Sequence, residues 1–179
     1  YYDEELDIVF ISIRNLSRVT AIDYNTKQIL WNMGVPDFME TVYFDDSFDF
    51  SHQHSVQVTN DKNIIFFDNG RDKIPELSRC VEISYNENLE AELIWEHILP
   101  PEMLTLSRGE CDRLNNSNTL ISAGRTGNVI EVNSNNETVW HLNVKENNVI
   151  PVTIHRSERI ENLYPNVFSF KIYDLFGSY

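Results

Sequence analysis

The chain has 179 residues, 41% hydrophobic and 12% aromatic, which is enough to bury a sizeable core and disfavours intrinsic disorder. Its 28 acidic and 14 basic side chains give a formal net charge of −14, which argues against a nucleic-acid partner because such partners need clustered Lys and Arg. No run approaches the roughly 18 apolar residues of a membrane helix, so no membrane partner is expected.

Three segments repeat one pattern along the chain. Each has a short apolar strand, a polar turn, an alternating strand, an Asn-rich turn and a strand that carries a tryptophan. The second and third segments also have a preceding strand, and residues 1–7 resemble the end of such a strand. The predicted units are about 1–32, 52–97 and 108–142, and their tryptophans are Trp31, Trp95 and Trp140.

This repetition predicts the fold class. The tryptophans lie 64 and 45 positions apart, and a four-stranded repeat of about 40 to 50 residues is the period of a β-propeller blade. A β-sandwich is also all-β, but it gives no reason for a tryptophan to recur at one place in each unit. We therefore predict that residues 1–179 form a single all-β domain, a partial β-propeller.

The predicted propeller has about three four-stranded blades and a tail, residues 143–179, that starts another. Because propellers typically close with about four to eight blades, the chain is expected to be a fragment of a longer protein. The two cysteines, Cys80 and Cys111, fit neither a disulfide scaffold nor a zinc site. We interpret them as small buried hydrophobic residues, and a single disulfide is the alternative.

Candidate site residues follow from aligning the units. His54 stands at the mouth of the inner strand of the second unit, while Arg14 and Asn69 occupy equivalent positions after their strands and Arg125 follows the third such position. These four side chains are expected to gather on one rim as a cationic pocket for an anion. His52 lies two residues before His54, on the same side of a segment taken as extended, and could support it.

Each of these residues also has a purely structural interpretation. A histidine at a strand end is often only a hydrogen-bonding residue, and Asn69-Gly70 is a tight-turn dipeptide. The His-x-His pair, with Asp68 as a third ligand, is half of a metal site, but two ligands make metal binding a weak prediction, and we predict none. His155 and Arg156 in the tail could reach the same rim.

Residues 50–70, FSHQHSVQVTNDKNIIFFDNG, resemble the motif of the arylsulfate sulfotransferase propellers, in which an aromatic-x-x-Gln-His segment precedes an inner strand that is followed by Phe-Asp-Asn-Gly. The first and third units resemble the neighbouring units of that family in matching order. The resemblance runs from about residue 5 to 141.

The resemblance implies a six-bladed parent propeller that transfers a sulfuryl group from a phenolic sulfate ester to a phenol, without a nucleotide donor or another cofactor. It implies that His54 is the transient sulfate acceptor and that Arg14 holds sulfuryl oxygens. The family's His-x-Asn motif would lie upstream of Tyr1. Relatives are often periplasmic or secreted, which makes either location an expectation here.

Two other functions remain open from the sequence. Propellers host many functions, so a noncatalytic module that binds a ligand or a partner at its rim is one alternative. The other is a quinoprotein-type propeller, because AIDYNTKQILW at residues 21–31 resembles the blade motif of quinoprotein dehydrogenases. In that motif, Lys27 replaces a glycine.

Overall fold

A computed structural model describes residues 1–34, 49–88 and 90–160 of the chain, and in these ranges it contains strands and two short 3₁₀ turns. The first sheet comprises β1 (Tyr2–Asp3), β2 (Ile8–Ile13), β3 (Arg18–Asp23) and β4 (Ile29–Gly34). The second comprises β5 (His54–Val58), β6 (Ile64–Asp68), β7 (Arg79–Tyr85) and β8 (Ala91–Ile98). The third comprises β9 (Glu110–Arg113), β10 (Thr119–Ala123), β11 (Asn128–Val132) and β12 (Thr138–Asn143).

Each sheet is an antiparallel meander whose strands pair in chain order. A fourth, two-stranded sheet pairs β13 (Lys145–Glu146) with β14 (Ile150–Pro151). The 3₁₀ turns are Arg14–Leu16 and Pro101–Met103. Three successive four-stranded meanders give the predicted all-β partial propeller, and even the inner strand that the sequence leaves incomplete is present as β1. None of the described helical segments is long and apolar enough to cross a membrane.

The Asn-rich turns of the sequence close the last hairpin of each sheet. Asp23 Oδ1 accepts the N–H of Asn25 at 2.9 Å, and Asn86 Oδ1 accepts the N–H of Asn88 at 2.9 Å. The side chain of Asn133 makes the same contact in the third sheet. These side-chain turns explain why Asp and Asn recur there. They also give Asp23, a residue of the quinoprotein-like motif, a local structural role.

The core consists of two layers, one on each face of the middle sheet. Alternate residues of β6 point in opposite directions, so Ile64 and Phe66 pack against the first sheet while Ile65 and Phe67 pack against the third. All five residues of β6 are buried. A strand that is covered on both faces needs apolar residues at every position, which explains the continuous run IIFF.

A repeated polar contact ties each later unit to the one before it. In the second sheet Glu82 pairs with Arg113 of β9, and this guanidinium lies 4.6 Å from the centre of the Trp95 ring. In the third sheet, Glu131 pairs with Arg159, which in turn lies over Trp140. Arg159 therefore makes the same contacts with the third sheet that Arg113 makes with the second. The described part of the tail thus lies where the inner strand of a next sheet would begin.

The cysteines are paired, so their interpretation as unpaired hydrophobic residues is wrong. Cys80 of β7 and Cys111 of β9 form a disulfide with Cα atoms 5.9 Å apart, and both residues are fully buried between the second and third sheets. The two cysteines are 31 residues apart in the sequence, and a spacing that long says nothing of contact until the two sheets are placed side by side.

Reduction of this disulfide is expected to lower the free energy of unfolding by about 3 to 4 kcal/mol, because the bond closes a long loop in the unfolded chain. Urea unfolding with and without dithiothreitol measures the change. The double variant Cys80→Ala/Cys111→Ala is the control and should show no effect of the reductant. A wild-type curve that the reductant leaves unmoved would contradict the expectation.

Candidate functional site

His54 lies at a β-bulge at the start of β5. The register between β5 and β6 shifts between His54 and Gln57, and Ser55 has a φ of 55°, in the left-handed region. The corresponding pair of strands in the third sheet, β9 and β10, runs without such a shift. A bulge changes the direction of a neighbouring side chain. Here the His54 ring therefore does not point in the direction that a regular strand would give it.

Hydrogen bonds fix the tautomer of His54. Its Nδ1 lies 2.6 Å from Asn69 Oδ1 and 3.1 Å from the carbonyl oxygen of His52. Both partners are acceptors, so Nδ1 carries the proton. Nε2 of the neutral ring then has its lone pair free to accept, and it accepts the backbone N–H of Arg108 at 3.2 Å. The potential nucleophile of this ring is therefore Nε2.

The Asn69 side chain holds three chain segments together. It is fully buried, and its Nδ2 donates to the carbonyl oxygens of Thr105 at 2.7 Å and of Arg108 at 2.8 Å. These two donations fix the orientation of the amide, so Oδ1 must face His54. With every polar group used inside the protein, Asn69 is placed to position His54 rather than to touch a ligand.

Asp68, the residue before Asn69, holds the backbone segment that precedes His54. Its Oδ1 accepts the N–H groups of Ser51 at 3.0 Å and of Gly70 at 2.9 Å, and its Oδ2 accepts Arg79 Nε at 2.9 Å. The Ser51 contact anchors the segment that leads to His54. Asp68 is fully buried, and its carboxylate is occupied by these partners, so it is not a free third metal ligand.

Arg14 follows β2 of the first sheet and reaches the same rim. It donates through Nη2 to the carbonyl oxygen of Leu106 at 3.1 Å and through Nη1 to Asn15 Oδ1 at 2.7 Å. Its Nε is buried and has no hydrogen-bond partner among the described residues. A buried donor without a partner is costly, and a ligand oxygen would satisfy it.

The electrostatics of the rim favour neutral His54. Burial lowers the pKa of His54 below its ordinary value of 6.5, and the positive charge of Arg14 lowers it further, against the opposing hydrogen bonds to Asn69 and His52. That His155 reaches this rim stays a prediction. At neutral pH the ring is therefore uncharged, with its lone pair on Nε2.

His52 does not occupy the place that the spacing suggested. Its φ is 55°, so the segment through His52 is not extended and the two rings do not share a side. The His52 ring instead pairs through Nε2 with Asp72 Oδ2 at 3.2 Å. Only its backbone carbonyl contacts His54. Along residues 1–34, 49–88 and 90–160, no cluster of three or more His, Cys, Asp and Glu side chains is placed to hold a metal ion.

Arg125 contacts the site through its backbone. Arg108 is a further arginine of the site, and the sequence did not predict it. The Arg125 N–H donates to Thr105 Oγ1 at 3.1 Å, while its side chain is exposed. Arg108 comes directly before Gly109, the residue that aligns with His54. A basic residue beside the position that aligns with His54 could have marked Arg108 as a candidate. Nothing in the sequence shows, however, that the Arg108 backbone N–H faces His54.

An open groove of about 740 Å³ runs along the inner strands beside the site. Val9 and Val56 give it apolar walls, while Ser12, Ser55 and Gln57 line it with polar groups. Ser55 is the residue after His54, but the imidazole itself does not line the groove, and charged groups from Glu110, Asp112 and Arg156 do.

Replacement of Asn69 by Ala is expected to lower the free energy of unfolding by about 1 to 3 kcal/mol, because the carbonyl oxygens of Thr105 and Arg108 and the Nδ1–H of His54 each lose one hydrogen bond. Urea unfolding measures this loss. Arg125→Ala is the matched control, since it leaves the backbone contact intact and should change stability by less than about 0.5 kcal/mol. Equal effects of the two substitutions would refute the positioning role of Asn69.

Comparison with known proteins gives the family. No curated protein matches the chain. A crystal structure of a protein of unknown function from Bacteroides caccae is similar at 13% identity over 75% of this chain and 72% of that chain, but its TM-score of 0.23 supports no argument. The family model described as Arylsulfotransferase (ASST) matches residues 4–145. Because that match spans most of its length, the chain belongs to the arylsulfotransferase (ASST) family.

Proposed function

We propose that this protein transfers a sulfuryl group from a phenolic sulfate ester to a phenol, with His54 as the transient acceptor and without a nucleotide donor. The observation that supports this most directly is the fixed tautomer of His54. Its Nδ1–H is held by Asn69 Oδ1 at 2.6 Å, which puts the lone pair of a neutral ring on Nε2. A neutral imidazole is an adequate nucleophile near neutral pH.

The reaction would proceed in two displacements. In the first, Nε2 attacks the ester sulfur, a nitrogen–sulfur bond forms, and the sulfur–oxygen bond breaks with its electron pair leaving on the phenolate. In the second, the oxygen of the acceptor phenol attacks the sulfur and the nitrogen–sulfur bond breaks, which returns the electron pair to Nε2. The proton of the acceptor phenol balances the one that the first phenolate takes up.

Asn69 and Arg14 would stabilise charge at the two ends of the reacting group. The His54 ring becomes cationic while it carries the sulfuryl group, and the Nδ1–H bond to Asn69 strengthens as it does. The unpartnered Nε–H of Arg14 is a donor for a sulfuryl oxygen. By analogy with phosphoryl transfer, such positioning contributes more than acid–base power. The groove beside Ser55 offers apolar and polar walls for a phenol ring.

We also propose that the protein works in an oxidising compartment, the periplasm or the cell exterior. The support is the buried Cys80–Cys111 disulfide, since such bonds persist mainly in oxidising surroundings.

The first half-reaction tests the proposal. With 4-nitrophenyl sulfate and no acceptor, the full-length protein that contains this chain is expected to release nitrophenol up to one equivalent and to carry a sulfuryl group on the peptide that contains His54, as detected by mass spectrometry. His54→Ala should abolish both signals. Arg14→Ala should slow release by about 100-fold or more, because one charge-stabilising donor is lost.

Lys145→Ala is the control, because this exposed cation of β13 lies outside the site. Release that persists unchanged in His54→Ala would reject His54 as the acceptor. If the wild-type full-length protein shows neither release nor sulfation, the noncatalytic binding module is favoured instead.

The pH dependence of the half-reaction follows from the lowered pKa of His54. Protonation of Nε2 removes the nucleophile, so the rate should decrease as pH falls, and the midpoint of this decrease should lie below 6.5, the ordinary histidine value. Single-turnover rates measured from about pH 5 to 9 give the acid limb. An acid limb at or above the ordinary value would contradict the expectation.

A further inference from the structure

The Nε2 lone pair of His54 is covered in this structure. The N–H of Arg108 donates to it at 3.2 Å, and the carbonyl oxygen of the same residue accepts Asn69 Nδ2 at 2.8 Å. One residue therefore contacts both members of the His54–Asn69 pair. A sulfur atom bonded to Nε2 and the Arg108 N–H cannot occupy the same lone pair, so one of them must yield.

The loop that carries Arg108 is anchored at both ends. At its start, Thr105 Oγ1 donates to the carbonyl oxygen of Ser107 at 2.8 Å and accepts the Arg125 N–H at 3.1 Å. At its end, Gly109 has a φ of 118°, and a Cβ there would lie 2.5 Å from the Phe67 ring. Movement is therefore confined to the residues between these anchors.

In the part of the chain that the structure describes, Arg108 has a free side chain, and its backbone is held by the bonds to His54 and Asn69 alone. It is exposed, and its φ of 65° places a non-glycine residue in the left-handed region, a conformation that costs on the order of 1 kcal/mol. Its guanidinium makes no hydrogen bond or ion pair within the described residues. Its backbone is thus strained while its charge is unused, a combination that a bound anion would relieve.

We propose that Arg108, held between Ser107 and Gly109, forms a displaceable cover on His54, and that an anionic ester lifts the cover by accepting hydrogen bonds from the Arg108 N–H and guanidinium in place of Nε2. The cover itself depends only on the contacts above, whereas the identity of the ester rests on the proposed function. After displacement, the Arg108 N–H becomes a second donor for the sulfuryl oxygens, in addition to Arg14.

The first test measures the cover without any turnover. Diethyl pyrocarbonate acylates unprotonated imidazole nitrogen, and peptide mass spectrometry gives its rate at His54 relative to exposed His155 in the same chain. Thr105→Val keeps the side-chain shape but removes the hydroxyl that anchors Ser107. The variant loses the hydrogen bonds to the Ser107 carbonyl and from the Arg125 N–H. It is expected to raise the His54 to His155 rate ratio by about three- to tenfold, because the Ser107 bond is the one that anchors the cover.

Thr126→Val is the matched control. Thr126 Oγ1 also bonds a loop carbonyl, that of Ala123 at 2.7 Å, but it does not touch the cover. Its rate ratio should equal that of the wild type, and thermal melting checks that both variants are folded. A ratio that Thr105→Val leaves unchanged, or a wild-type His54 that reacts as fast as His155, would overturn the cover.

The second test follows the handover of the Arg108 N–H. Addition of 4-nitrophenyl sulfate to ¹⁵N-labelled chain should shift the Arg108 amide resonance in a saturable way, and Arg108→Ala should weaken binding about tenfold through loss of the guanidinium charge. Lys145→Ala should leave binding unchanged. Inorganic sulfate as a separate probe tells whether the anion alone suffices.

The outcomes separate this inference from the proposed function. A shifted Arg108 amide without sulfation of His54 would support the cover and reject the transfer reaction. Sulfation of His54 with an unmoved Arg108 amide would support the transfer reaction and overturn the handover. No shift and no sulfation, with a raised ratio in Thr105→Val, would leave the cover standing and reject its opening by an ester.

Discussion

The buried amide of Asn69 is the constraint on which the site depends. Its Nδ2 can only donate, and it faces the carbonyl oxygens of Thr105 and Arg108 at 2.7 and 2.8 Å. Its Oδ1 is thereby forced toward His54, which must present Nδ1–H. One amide thus connects β6 to the loop before β9, selects the tautomer of a histidine on β5 and determines which nitrogen holds a lone pair. The site is a consequence of how two neighbouring sheets meet.

The sequence predicts those features that repeat. Tryptophans and Asn-rich turns recur because each sheet packs its strands and closes its hairpins in the same way. The alignment of units places His54 and Asn69 near each other for that reason. Prediction from the sequence fails where the backbone departs from the regular strand. The left-handed conformation of His52 turns its ring to Asp72, and period-two reasoning cannot foresee it. The disulfide and the Arg108 contact join different units, and single-strand patterns contain no information about such pairs.

Arginine has two separate uses in this acidic chain. Arg79 and Arg113 neutralise buried carboxylates, those of Asp68 and Glu82, and so tie segments together. The charge of such an arginine is already paired with a carboxylate, so it does not bind a ligand anion. Arg14 and Arg108 keep donors unused at the rim, so a net charge of −14 does not prevent a local anion site. The partners of each arginine, rather than the number of arginines, identify the cations that can bind a sulfuryl group.

Backbone strain surrounds His54 on each side. His52, Ser55 and Arg108 all have φ between 55° and 65°, and each conformation costs on the order of 1 kcal/mol unless other contacts maintain it. For His52 and Ser55 those contacts are the Asp68 anchor of Ser51 and the pairing of β5 with β6, both internal to the second sheet. For Arg108 the contacts are the His54 ring and the Asn69 amide. Any group that bonds to Nε2 removes the first of these two contacts, so ligand binding at His54 and movement of Arg108 are coupled.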